Sequence, residues 1–150
     1  MALLTPELLA NIGKRAKPRR EIATRRDIRK YSVATAQTDP RFMAGDIAPP
    51  LYHVALFWDV VPLEDLTPDG VSVDTLLPKL PLERAMAGGL NIEYHQPIKA
   101  DDVLIANRTL TDLYEKEGRS GTLIFYEIVM EVTTESGAPV LTETTTRLLR

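Results

Sequence analysis

From residue 88 onward the chain adopts a period of two, and that alternation commits its second half to an antiparallel sheet. Thr122, Ile124, Tyr126, Ile128, Met130 and Val132 fall on one side of an extended segment, with Glu127, Glu131 and Thr133 on the other, as expected of a strand with one buried and one wetter face. Strands are predicted at 90–97, 103–114, 122–134 and 140–149. The intervening segments, Lys99 to Asp102, Lys116 to Gly121 and Glu135 to Pro139, carry turn residues. Links this short join neighbouring strands in antiparallel fashion.

The first half reads as helices and loop. Thr5 caps and Pro6 opens a helix over 5–16, with Leu8, Leu9 and Ile12 at helical spacing. A second helix starts after Thr24, with Asp27 completing the cap and Ile28, Tyr31, Val33 and Ala34 forming its apolar stripe, and stops near Pro40. Segment 49–60 is apolar on nearly every side, which predicts a buried helix. Pro62, Pro68, Gly70, Pro78 and Pro81 make 61–83 a long loop, and loops of that length often cover a ligand. Helices packed on an antiparallel meander give an α+β two-layer domain over 1–150 with a basic helix or arm at 1–20.

Composition narrows the function. The chain has no Cys and two His, and its net charge is -3. That removes thiolate chemistry, disulfides and Cys-based metal sites, and scattered His and carboxylates show no metal-ligand spacing. Residues 1–30 hold nine Lys/Arg against three Asp/Glu, leaving nine against eighteen for the remainder. The basic end suits a phosphate-bearing ligand or an acidic carrier protein. Nucleic acid is not expected, because the whole chain is acidic without basic-aromatic interleaving. Gly88-Gly89 lacks the context of a phosphate loop. No apolar run reaches the ~18 residues of a membrane span, and the N-terminus lacks the order of a signal peptide; a cytoplasmic location is expected.

Residues 88–132, GGLNIEYHQPIKADDVLIANRTLTDLYEKEGRSGTLIFYEIVMEV, together with 48–60, APPLYHVALFWDV, resemble the MaoC-like or hydratase-2 group of hot-dog proteins, especially the N-terminal fatty-synthase-type dehydratase half. The resemblance implies an antiparallel sheet wrapped around a central helix. It also implies water addition to, or loss from, an acyl thioester carried by CoA or an acyl carrier protein, with no cofactor or metal. Active members carry a D-x-N-P-x-H motif whose carboxylate and imidazole manage the water. At the matching stretch, Gln37 stands in the place of the Asp, Asp39 in that of the Asn, Pro40 is kept, and Phe42 replaces the His. An amide is no base at neutral pH and a phenyl ring carries no transferable proton. The resemblance therefore implies a degenerate half that shapes the acyl tunnel beside a hot-dog partner, identical or different, that supplies the motif. Such sheets pair edge to edge, so a dimer is expected.

Substrate contact is assigned to Phe42, Tyr52, His53 and Phe57. Asp39 and His53 are the candidates for a substitute acid-base pair. Tyr52, Phe57 and Trp58 are by default core aromatics, with lining of an acyl tunnel as the other reading, and His95 is assigned to a structural place on a strand. Asp65, Asp69 and Asp74 belong to the covering loop. Two rival functions remain: a hot-dog thioesterase using Asp59, the one carboxylate in segment 49–60, and a non-catalytic acyl-thioester binding protein.

Overall fold

The computed structural model describes residues 2–66, 70, 72, 74–119 and 121–150. Five antiparallel strands form one sheet: β1 (Arg19–Ala23), β2 (Ala85–Tyr94), β3 (Asp102–Gly118), β4 (Gly121–Thr134) and β5 (Pro139–Leu149), in spatial order β1-β3-β4-β5-β2. The helices precede β2 and are short: α1 (Pro6–Leu9), α2 (Arg25–Ala34), α3 (Pro40–Ala44) and α4 (Tyr52–Leu56), followed by a 3-10 turn at Leu63–Asp65. The α+β arrangement is the expected one.

The predicted inner face of β4 is the observed one: Ile124, Tyr126, Ile128, Met130 and Val132 are all buried. Burial of five such side chains stabilises by roughly 1.5–3 kcal/mol each before chain entropy is counted. Two apolar clusters share that face. One gathers Ala23, Ile28 of α2, Tyr52 of α4 and Phe57 against Leu104, Ala106, Met130, Val132 and Leu141. The other covers Leu110, Leu113, Ile124, Tyr126 and Leu149 with Leu4, Leu76 and Leu80. Non-helical chain thus covers half of the sheet, and the Asp74 carboxylate holds it there by pairing with Arg108 of β3 while accepting from Leu76 N at 3.0 Å.

Four expectations are corrected. Segment 49–60 is not one long buried helix: α4 has five residues, of which Tyr52 and His53 are buried. Pro49 and Pro50 precede it, Leu51 takes a left-handed conformation at φ 67°, and Trp58, past its end, is 52% exposed rather than in the core. The helix at 5–16 stops after one turn because the next residues join the sheet. Gly13 N donates to Leu110 O at 2.7 Å and Leu110 N to Lys14 O at 3.0 Å.

The second helix begins as read, with Thr24 Oγ1 accepting from Asp27 N at 3.1 Å, but it ends at Ala34, well short of Pro40. Its buried stripe is Ile28 and Ser32, while Val33 is 65% exposed. The last correction concerns pairing. β2 does not lie beside β3: it pairs with β5, and residues 95–101 cross to the far side of the sheet. Their backbone groups are satisfied on the way, His95 N by Val140 O at 2.8 Å, Ile98 O by Ala48 N at 2.8 Å and Asp101 N by Ala23 O at 2.8 Å, so the crossing needs no ladder.

β2 is one of the two sheet edges, β1 being the other, and is exposed along almost its whole length. Its register slips between Ala87 and Gly89, a bulge at Gly88, where a Cβ would meet Thr146 O at 3.1 Å. Beyond it, Leu90, Ile92 and Tyr94 lie opposite Thr145, Glu143 and Leu141 of β5, on the inner face.

Candidate functional site

Where α3, α4 and the crossing segment meet, an open pocket of about 480 Å³ forms. Phe42 of α3, Ile47, Pro49 and Pro50 give it an apolar wall, His53 of α4 lines it, and Tyr94 to Ile98 close the side nearest the β2 edge. The local sequence explains this placement. Asp39 caps α3 by accepting from Arg41 N at 2.8 Å, Pro40 fills the first turn and Gly45 ends it in a left-handed cap at φ 78°, which turns residues 46–50 across the pocket. Gly45 is obligatory there, since a Cβ would sit 2.6 Å from Arg25 O.

Among the described residues, the only buried polar or charged side chains are Ser32 and His53. Ser32 donates to Ile28 O at 2.8 Å. His53 is 1% exposed and its Nε2 lies 2.7 Å from Glu143 Oε2. The other Glu143 oxygen accepts from Thr145 Oγ1 at 3.1 Å. Burial pushes the Glu143 carboxyl up, but the hydrogen bonds from His53 and the Thr145 hydroxyl and the Arg108 charge outweigh it, leaving it below its ordinary value of 4.5. Glu143 is therefore ionised at neutral pH and accepts only, so Nε2 carries the proton. Among the described residues nothing meets Nδ1. The Tyr94 ring stands edge-on to the imidazole, centroids 6.2 Å apart, and its hydroxyl accepts from Leu51 N at 3.0 Å. Ring and carboxylate together fix the imidazole plane.

The residues singled out from sequence separate into groups. Phe42 and His53 line the pocket. Tyr52 and Phe57 are not in its lining and take their core places in the apolar cluster above the sheet, where Tyr52 packs edge-on against Tyr31 at 5.6 Å. Among the described residues its hydroxyl finds no partner, and burial followed by the nearby Asp27 charge pushes its pKa up to about 12. Gln37 donates to Thr35 Oγ1 at 3.3 Å. The Asp39 carboxylate pairs with Arg41 Nη2 at 2.8 Å, which holds it below the usual carboxylate range; the carboxylate partner of His53 is Glu143 instead. His95 lines the pocket and meets Thr142 Oγ1 at 3.3 Å. Asp59 pairs with Arg19 at 2.6 Å. Asp65 ends the 3-10 turn, and Asp69 lies outside the described residues.

Glu143 is absent from the sequence-based candidates. The available signal was parity: it shares a side of β5 with Leu141 and Leu149, both buried, so a carboxylate falls on an apolar face. The basic segment also divides. Arg19, Arg20 and Arg25 are engaged by Asp59, Glu135 and Asp46, while Arg26, Arg29 and Lys30 line an open groove of about 420 Å³ on α2.

Comparison with known proteins adds the lineage. The sequence model of the FAS1-like dehydratase domain region matches residues 10–143. Mesaconyl-C(4)-CoA hydratase from Chloroflexus aurantiacus is 29% identical over 85 residues, covering 56% of this chain and 30% of that protein; the chain thus aligns with less than a third of this curated relative. Among solved structures, the ChsH1-ChsH2 complex from Mycobacterium tuberculosis superposes with a TM-score of 0.68 at 14% identity, over 95% of this chain and 91% of that one. A MaoC-like dehydratase from Phytophthora capsici gives 0.65 at 21% identity, over 98% and 49%.

Proposed function

Because the chain belongs to the FAS1-like dehydratase-region family of MaoC-like hot-dog proteins, we propose that it is a subunit of an (R)-type enoyl-thioester hydratase, or 3-hydroxyacyl-thioester dehydratase, and supplies its non-catalytic substrate-tunnel half. One observation carries this reading. The pocket is present and Phe42 stands in its wall at the position of the motif His, while Gln37 and Asp39 are bonded locally to Thr35 and Arg41. An apolar wall at that point receives an acyl chain and moves no proton.

The missing carboxylate and imidazole come from a second hot-dog chain. The β2 edge is unpaired, Leu90 and Tyr94 on its inner side are about half exposed, and Leu51 and Val54 of the α4 region are also open. An uncovered apolar edge on a protein of this size marks a contact surface. Tyr94 lies both on that edge and in the pocket lining, so a partner strand along β2 lies next to the pocket and supplies groups to it. The acyl group arrives on CoA or on an acyl carrier protein, and addition of water to a conjugated thioester calls on proton transfer alone.

The test is reconstitution. The purified chain is assayed with crotonyl-CoA, following loss of the conjugated thioester absorbance, alone and mixed with a hot-dog chain bearing D-x-N-P-x-H. Turnover is expected only in the mixture, and Leu90→Glu is expected to abolish both association and turnover. Turnover by the chain alone would refute the tunnel-half reading.

A further inference from the structure

Arg41, Tyr94, His95 and Gln96 bring polar groups to the open rim of the pocket, and His53 is the one polar lining side chain that is fully buried. A carboxylate and an imidazole have been taken out of water on the inner face of a sheet, at a site where Leu and Phe would pack without that desolvation. Glu143 uses both oxygens, one on His53 Nε2 and one on the Thr145 hydroxyl. The imidazole uses one nitrogen. Its other nitrogen, Nδ1, has no partner among the described residues, although the side chain is 1% exposed and lines the pocket. A second proton on Nδ1 would be a buried donor with nothing to receive it, so the imidazole is taken as neutral: Nε2 donates to the carboxylate and Nδ1 presents a lone pair, an acceptor seeking an N–H or O–H donor. A buried acceptor left bare is costly, and the cost is removed when the occupant of the pocket donates to it.

We propose that His53, fixed by Glu143, is a specificity-determining residue that accepts a hydrogen bond from a hydroxyl on the bound acyl group, so that this chain selects hydroxyacyl thioesters over enoyl and saturated ones. The proposal rests on the tunnel-half reading and deepens it. The two forms that a hydratase interconverts differ by one hydroxyl, and only the hydrated form carries a donor for Nδ1. The chain lacking the family motif then discriminates between the two sides of the reaction without taking part in its proton transfers. Tyr94 and Glu143 act as positioning residues, one against the ring face and one at Nε2.

Three probes separate the possibilities: 3-hydroxybutyryl-CoA, butyryl-CoA and crotonyl-CoA, titrated calorimetrically into the purified chain. The hydroxylated probe is expected to bind about tenfold tighter than the other two, the worth of one hydrogen bond to an otherwise bare buried acceptor. In 15N spectra the His53 Nδ1 resonance should have lone-pair character and move with that probe alone. His53→Phe combined with Glu143→Leu removes both polar groups together, leaving no unpaired charge, and is expected to bind all three probes alike. Butyryl-CoA binding in that variant shows that the pocket is still formed. Equal affinity for the three probes in the folded parent chain overturns the selection and leaves the tunnel reading standing, as does a tenfold preference surviving in the double variant. Failure of the folded parent chain to bind any of the thioesters overturns the tunnel reading, and the selection with it.

Discussion

His53 and Glu143 stand ninety residues apart in the chain, yet their side chains meet at 2.7 Å beneath α4. The contact joins a helix of five residues to the inner face of β5 and brings a carboxylate into the apolar layer between them. Removing either member strands the other. His53→Phe leaves a largely buried carboxylate with Thr145 alone and is expected to cost about 3 kcal/mol, and Glu143→Leu about 2 kcal/mol. The double substitution should cost less than the sum by about 1–2 kcal/mol. Urea unfolding of the four proteins measures the coupling, and strict additivity would show that the pair does not interact.

Acid should weaken the same contact. The Glu143 carboxyl is depressed in the folded chain, so the unfolded chain takes up its proton first as the pH falls. The stabilisation from Glu143 is complete above its unfolded value near 4.5 and is lost as the pH drops through the lower folded value. Stability measured from pH 6 to pH 3 should fall less steeply in Glu143→Gln, once the shared carboxylate background is subtracted.

Tyr52 behaves in the opposite sense. Its phenol is raised to about 12 from 10.0, so its contribution is intact below pH 10 and disappears as the pH climbs toward 12. Phenolate absorbance in alkali should show a late-titrating tyrosine that is missing in Tyr52→Phe. Because the hydroxyl has no partner among the described residues, Tyr52→Phe should change stability at pH 7 by no more than about 0.5 kcal/mol, or raise it. A loss above about 1.5 kcal/mol would reveal a bond to that hydroxyl.

Two glycines with similar backbones should respond differently to alanine. Gly45 and Gly137 both lie in the left-handed region, at φ 78° and 90°, but a Cβ at Gly45 meets backbone at 2.6 Å whereas one at Gly137 meets nothing. Gly137→Ala should cost about 1 kcal/mol of strain. Gly45→Ala should cost at least about 2 kcal/mol, since α3 must also move off α2. Thermal unfolding of the two variants gives the comparison, and equal losses would dismiss the steric argument.

The elements that could be read from sequence are those whose stability is local. β3, β4 and β5 carry their own alternation and turns, and α2 its own cap at Thr24. β1 escaped notice because Arg-Arg-Glu-Ile-Ala buries only Ala23 deeply, and it is a strand because β3 offers it an edge. The short α4 was overestimated because apolar residues on every side promise burial, whereas Val54 and Trp58 face outward. Phe42 and His53 were found through the motif alignment and the scarcity of histidine. Glu143 required the register of β5, which β4 on one side and β2 on the other determine together.

The extra residue at Gly88 changes what the β2 edge can accept. Before it, Ala85 and Ala87 lie opposite Leu149 and Arg147; after it, Leu90, Ile92 and Tyr94 take over the same side. A strand laid along this edge can follow the ladder on either side of the irregularity, but to continue past it the newcomer must carry a matching one. Without it, the newcomer falls one residue out of step and turns its apolar side chains to the wrong face. For any strand added there, the bulge would act as a phase lock, setting the backbone rhythm that the newcomer has to match.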